Sequence, residues 1–466
     1  MPTATGRRRI VGASIGNFAE LYDFAVYAFA APVLATHFFP KSDPTAALLS
    51  TFAVYAVAFA MRPLGGVIFG YLGDRRGRVT VLASTVLLMG IATMIIGLLP
   101  TYALIGIAAP ILLVLCRVVQ GVSQGGETSG GYSFIIESAP DARRALWLNI
   151  TSCFAFLPAA IPGLLILGLQ SAFGSEAYEQ WGWRVPFFIG GLIAFIGLWV
   201  RLKLDDPAEY KQAHRDTRVR NPIRSVFRKY RKSIVVVILL VGVQAVAGYL
   251  LLGYMYTYLV KVVKIGSTAA LLSNAFSIVV AAVLMPIFAL VVDRVGRKPI
   301  LIAGVTWMIL TTYPAFMMAS SGTIMGAYAG QLCISVSFGL YASAGYTIML
   351  ELFPTSIRYT GHAIAYNIGN ALFGGTVPLI ATALVEATGS ALAPGCYAIA
   401  IAVLGLAAIP FAPETKNLSL RKSVSADAGP APATGAEPHQ SDVAIPNSPE
   451  AHNGPATAVG SLQGES

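Results

Sequence analysis

Charge is scarce in this sequence. Only 12% of its 466 residues are Asp, Glu, Lys or Arg, against about 25% in an ordinary soluble chain. That deficit excludes one large water-facing globule and implies a surface made for lipid. Cysteine is scarce as well. Cys116, Cys153, Cys333 and Cys396 show no C-x-x-C spacing, which excludes a zinc ribbon or a thioredoxin-like redox motif. All four fall in apolar stretches, where cysteine serves as a small packing residue. The chain also lacks a Walker sequence, a clustered His/Cys metal site and a Ser/His/Asp constellation in a defined context. ATP-driven transport by this chain is therefore excluded. No enzyme activity, no metal and no organic cofactor are expected.

Hydrophobic residues make up 56% of the chain. Twelve apolar stretches, each long enough for one hydrocarbon core, run at about 10–36, 48–72, 79–99, 107–136, 146–170, 184–202, 233–260, 268–292, 299–319, 324–351, 361–387 and 391–411. Within lipid the backbone must satisfy its own hydrogen bonds, so these are helices. Their length and their lack of alternation exclude a β-barrel. The expected class is an all-α membrane protein of twelve transmembrane helices in two pseudo-symmetric six-helix bundles.

A net charge of +10 raises the question of nucleic acid. Its distribution answers it. With the N-terminus in the cytoplasm, 26 of the 32 Lys and Arg residues fall on the cytoplasmic side and four on the outer side, with Arg62 and Arg117 inside spans. This is the positive-inside signature, with both termini cytoplasmic. The basic residues are scattered over short loops, so the partners are the bilayer and not nucleic acid. Arg7–Arg9 precede a span that carries Glu20 and Asp23 and shows no small-residue cleavage site, so no cleaved signal is expected.

The expected organisation is an N-terminal six-helix bundle at 1–202, a basic cytoplasmic linker at 203–232, a C-terminal six-helix bundle at 233–415 and a tail at 416–466. The linker reads as an anchor to anionic headgroups. Residues 421–466 hold no aromatic residue and no heptad pattern, and such a tail is expected to be disordered.

The two halves repeat. GlyTyrLeuGlyAspArgArgGlyArg at 70–78 aligns with LeuValValAspArgValGlyArgLys at 290–298. Glu137 with Arg144 aligns with Glu351 and Arg358, 214 residues on, and Gly131-Tyr132 matches Gly345-Tyr346 at the same offset. Duplicated halves place a substrate site near the bilayer midplane, where they meet, and work by rocking. The shared Asp-Arg-x-Gly-Arg loops supply a turn-forming glycine, a carboxylate that can cap a helix and arginines that can pair with carboxylates. Asp74, Arg75, Gly77 and Arg78, with Asp293, Arg294, Gly296 and Arg297, are therefore candidates for a cytoplasmic gate. Glu137, Arg144, Glu351 and Arg358 join them, as does Arg62, read as a gate or snorkelling residue.

Five ionisable residues fall inside spans: Glu20, Asp23, Arg62, Arg117 and Glu127, all in the first half. A charge at mid-bilayer is costly, so it faces a cavity and has a partner. In the second half, the places of Arg117 and Glu127 hold Gln331 and Tyr341. The first half is thus expected to handle the proton and the second to shape the pocket. At about 1.5 Å per residue, Asp23 and Arg117 reach similar depths, which predicts that they pair. Protonation of the carboxylate would free the arginine for a substrate anion. Glu20, Asp23, Arg117 and Glu127 are the candidate coupling residues. Pocket candidates are Asn17, Tyr27, Gln120, Gln124, Gln331, Tyr341, Tyr366 and Asn370, with Tyr249, Tyr254, Tyr256, Tyr258, Tyr346 and Asn367 behind them.

GlyAsnPheAlaGluLeuTyrAspPhe (16–24), ArgProLeuGlyGly (62–66), the two Asp-Arg-x-Gly-Arg loops, ArgValValGlnGlyValSerGlnGlyGlyGlu (117–127), TrpGlyTrpArgValProPhe (181–187) and PheProThrSerIleArgTyr (353–359) resemble the major facilitator superfamily. Within it they are similar to the metabolite:proton symporter family, which includes proline/betaine transporters, α-ketoglutarate and citrate permeases and shikimate transporters. The resemblance covers about residues 8–415. It implies alternating-access uptake of a small carboxylate-bearing or zwitterionic metabolite together with a proton, by a monomer. Leu21, where many members have Trp, and Thr128–Ser129, where a Tyr often follows the Glu, depart from the pattern. An osmoprotectant substrate is the alternative within the class. A multidrug exporter or a non-transporting sensor is the alternative outside it.

Overall fold

The computed structural model describes residues 4–76, 78–125, 128–202, 228–354 and 357–416. The tail from 417 and most of the linker, 203–227, lie outside the described residues. Helix follows helix through the described chain. The first half comprises α1 (Ala4–Phe38), α2 (Pro44–Arg76), α3 (Arg78–Leu98), α4 (Ala108–Gln124), α5 (Thr128–Ser138), α6 (Arg144–Phe156), α7 (Ile161–Phe173) and α8 (Val185–Leu202). The second comprises α9 (Arg231–Tyr249), α10 (Ser267–Val295), α11 (Arg297–Ala319), α12 (Ile324–Glu351), α13 (Arg358–Gly369), α14 (Val377–Thr388) and α15 (Ala393–Ala408). Ten helical stretches among the described residues are long and apolar enough to cross a membrane, and Ala83–Leu98 and Ala108–Gln124 are shorter apolar helices. Together they form the twelve-span fold.

Position within the bundle follows from which faces are apolar. On α3, Leu88, Ile91, Ile95 and Leu98 are exposed at a spacing of three and four, a stripe suited to lipid. α1, α9 and α12 are covered nearly all round, with 83%, 83% and 78% of their apolar windows buried, against 39% for α11. The first three therefore form the centre. Within lipid, close helix approach comes from small residues. A Cβ on Gly65 would run into the Val122 carbonyl, and one on Gly121 into that of Ala58. These two glycines bring α2 and α4 into backbone contact, and so set Arg62 and Arg117 on touching helices.

The helices are interrupted where they border the middle. Leu250–Tyr254 and Tyr258–Val262 continue α9 as π-helical turns, and Asn370–Gly374 joins α13 to α14 in the same way. A π turn widens the helix and re-aims side chains, and is often found at functional sites.

Candidate functional site

Two buried ion pairs tie α1 to its neighbours. Arg117 Nη1 lies 3.1 Å from Asp23 Oδ2, with side-chain exposures of 0% and 2%. Asp23 also accepts from Thr93 Oγ1 at 2.6 Å and from Gln120 Nε2 at 2.8 Å. Gln120 in turn accepts from Arg117 Nη1 at 2.7 Å. The guanidinium lies over the Tyr27 ring at 3.9 Å, and its Nε and Nη2 have no hydrogen-bond partner. The ring face offsets part of that cost through cation–π attraction. Tyr27 itself donates to the Thr51 carbonyl at 3.0 Å.

One helical turn away, Arg62 Nη2 lies 3.0 Å from Glu20 Oε1, with both side chains buried. Arg62 also donates to Gln124 Oε1 at 3.3 Å and sits over the rings of Phe24 and Phe59. Phe24 also faces Arg117 at 5.6 Å, so it separates the two pairs.

The Glu20–Arg62 pair opens onto a cavity. A space of about 50 Å³ lies where the halves meet, walled by Glu20, Arg62 and Tyr132 from the first half and by Gln244, Tyr249, Tyr346, Tyr366 and Asn370 from the second, with Phe156 and Phe338. It holds both signs of charge, neutral amides and aromatic rings. Asp23 and Arg117 are not in its wall. The sequence led us to expect the substrate anion at Arg117 and a gate or snorkelling role for Arg62; in the structure Arg62, and not Arg117, borders this cavity. α2 runs on to Arg76, so Arg62 sits about 20 Å from the basic end of its helix. That distance is too great for snorkelling.

Of the pocket candidates, Tyr366 and Asn370 border the cavity, and so do Tyr249 and Tyr346. The others lie elsewhere. Gln120 and Tyr27 belong to the Asp23–Arg117 pair, and Gln124 to Arg62. Gln331 bonds Asn274 at 2.7 Å and Ser273 at 2.9 Å, both on α10. Tyr341 donates to the Leu240 carbonyl at 3.0 Å. These two face neighbouring helices of their own half, because α12 is buried nearly all round and only part of its circumference meets the cavity. Tyr258 bonds the Ala391 carbonyl, Tyr256 bonds Ser267, and Asn367 donates to the Gly125 carbonyl across the halves. Tyr254 is not in the wall. Glu127 and Gly77 lie outside the described residues, and so do the side chains of Asn17, Asp74, Arg75 and Arg78. Sequence reasoning missed Gln244, Tyr132 and Thr93. Gln244 had a usable signal, as the lone amide in the apolar run of α9.

At the basic end, the repeated motifs pair crosswise. Arg144 of the first copy reaches Glu351 of the second at 3.6 Å, and Arg358 of the second reaches Glu137 of the first at 2.7 Å. Arg297 makes two bonds to Glu351, at 3.1 and 3.2 Å, and lies 3.7 Å from Asp293. Asp293 accepts from the backbone N–H of Ala145 and Leu146, both at 3.0 Å, and so caps the start of α6 from the other half. Gly296 ends α10 at φ +122°, a conformation that suits glycine. Arg294 contributes its carbonyl to Lys416. Beyond α15, Glu414 accepts the backbone N–H groups of Arg297 and Lys298, and Thr415 donates to Glu351. Burial opposes the charge on Glu414, but the backbone N–H groups outweigh it and hold its carboxyl below the usual range.

The chain was compared with known proteins. Residues 13–374 match the family model described as Major Facilitator Superfamily. The proline/betaine transporter of Salmonella typhimurium is 36% identical over 433 residues, covering 90% of this chain and 86% of that one. The glycine betaine/proline/ectoine/pipecolic acid transporter OusA of Dickeya dadantii is also 36% identical over 433 residues, with the same coverage. Among solved structures, a D-xylose-proton symporter superposes with a TM-score of 0.69 at 19% identity, covering 88% of this chain and 99% of that one. The inward-open xylose transporter XylE from E. coli gives 0.69 at 18% identity, covering 90% and 98%. At such identities the structural likeness concerns the fold.

Proposed function

This chain belongs to the Major Facilitator Superfamily, and from that premise we propose that it takes up a small zwitterionic osmolyte, of the proline or betaine kind, together with a proton. That it is a membrane transporter and not an enzyme follows from the family. The substrate and the residue roles are our reading.

One observation carries the reading: Glu20 and Arg62, of opposite sign and in contact, share the wall of the cavity between the halves. Arg62 is suited to a carboxylate, because its planar fork matches carboxylate geometry. The aromatic rings around it suit an ammonium group. In our scheme Glu20 takes the proton. Neutral Glu20 then releases Arg62 to the substrate carboxylate, and deprotonation on the inner side restores the pair and expels the substrate. The zwitterion is neutral overall, so the loaded cavity carries one positive charge more than the empty one, which is the charge of the proton it moves. Asp23 and Arg117, sealed behind Tyr27, hold α1 against α4. The crosswise pairs at the basic end keep the cytoplasmic side closed until the halves rock.

The named relatives support a zwitterion over a dicarboxylate, and so does the wall, since among its described residues Arg62 is the one cation. The test is uptake into proteoliposomes. Labelled proline and glycine betaine should accumulate under an imposed inward proton gradient, while citrate and α-ketoglutarate should not. Uptake that ignores the gradient would remove the symport reading, and preferential citrate uptake would remove the zwitterion.

A further inference from the structure

The cavity wall holds a buried amide, Gln244, that the scheme above does not use. Gln244 is 4% exposed and is the single amide in Ile234–Tyr249. It borders the cavity beside Tyr346, whose ring meets that of Tyr132 edge-on at 5.4 Å. Its Oε1 has no hydrogen-bond partner. That oxygen faces Gly345, where an added Cβ would come within 3.2 Å of it, so the absence of a side chain there lets the amide sit close to α12. Gln244, Glu20 and Arg62 all border the same cavity.

A buried carbonyl oxygen without a donor is costly and marks a place where a ligand N–H belongs. The aromatic wall by itself does not exclude a quaternary ammonium, because aromatic rings hold methylated cations well. The amide does discriminate. A primary or secondary ammonium carries an N–H that can reach Oε1. A quaternary ammonium carries none, and would cover the oxygen with methyl groups. A site built to hydrogen-bond an N–H rejects the analogue that lacks it, since its own polar group is left unpaired.

We propose that Gln244 is a specificity residue whose free side-chain oxygen accepts an N–H from the substrate ammonium, so that the cavity prefers imino and amino acids to fully N-methylated betaines. This rests on the zwitterion reading above and narrows it.

The experiment is inhibition of labelled L-proline uptake in proteoliposomes by L-proline, N-methyl-L-proline and N,N-dimethyl-L-proline. The first two carry an N–H and should inhibit within a few-fold of each other. The third should be weaker by about tenfold, the worth of one such hydrogen bond. In Gln244→Met, which keeps the volume and removes the acceptor, the series should flatten through weaker binding of the first two. A wild-type series in which the dimethyl compound inhibits as well as proline overturns the assignment without any variant. A tenfold gap that persists in Gln244→Met assigns the gap to bulk and also overturns it. Absence of uptake for every zwitterion overturns the zwitterion reading and this assignment together, whereas uptake with a flat series overturns this assignment alone.

Discussion

Arg117 on α4 and Gln331 on α12 hold matching places in the duplicated sequence, and both are fully buried. Arg117 gathers a carboxylate, an amide and a ring. Gln331 gathers Asn274 and Ser273 by neutral hydrogen bonds. The second cluster has no proton to gain or lose. The first belongs to the half that also supplies Glu20 and Arg62 to the cavity. Duplication supplied the frame twice, and charge was placed in one copy. The carboxylate and the guanidinium of the cavity wall come from the first half, and the second half contributes neutral amides and aromatic rings.

The widest gap between the two clusters is expected in stability. Arg117→Gln leaves Asp23 buried and unpaired, which costs about 3–5 kcal/mol, read as a fall in the thermal midpoint of the protein in detergent. Combining it with Asp23→Asn should recover most of the loss. Gln331→Leu should cost only about 1–2 kcal/mol. Equal losses would break the comparison. The next effect is on transport. Arg62→Gln should weaken proline uptake by roughly 100-fold, the scale of a desolvated charged contact, while the neutral double variant at 23 and 117 keeps gradient-driven uptake. If that double variant loses uptake and Arg62→Gln keeps it, the roles of the two arginines are reversed.

The crosswise pairs at the basic end sharpen the comparison further. The side chain of Glu351 is 0% exposed and meets two arginines, whereas that of Glu137 is 40% exposed and meets one. Glu351→Gln should open the cytoplasmic side, detected as faster alkylation of a cysteine introduced at Ala245 by a reagent added from that side. Glu137→Gln should shift the closed state by at most about 1 kcal/mol. The smallest effect concerns Glu414. Its native carboxyl titrates below the ordinary value, so it contributes stability above its unfolded value and loses it as pH falls through the lower native one. Glu414→Gln should therefore flatten acid sensitivity below about pH 4.5 and leave stability at neutral pH only slightly reduced.

Much of the fold could be read from the sequence, because lipid forces apolar runs into helices and the repeat is written in Asp74/Asp293 and Glu137/Glu351. Charges inside spans were equally readable, since each must face a partner. Which partner it is depends on helix rotation. A span-length estimate places Asp23 and Arg117 at one depth but cannot turn α4 toward or away from the cavity. The seating of Arg62 had no local signal either: it follows from the glycines that press α2 on α4. Gln331 and Tyr341 carried polar groups that served helix packing within one half, a use that composition does not separate from pocket lining. Thr93 reaches Asp23 only through the crossing of α3, and nothing around it in sequence marks it out.

The central claim is that Glu20 carries the coupled proton for a solute held by Arg62. Its most direct test is Glu20→Gln in proteoliposomes, comparing counterflow exchange of labelled proline with accumulation driven by a pH gradient. Exchange should persist and gradient-driven accumulation should vanish. Accumulation at the wild-type level in Glu20→Gln would contradict the claim.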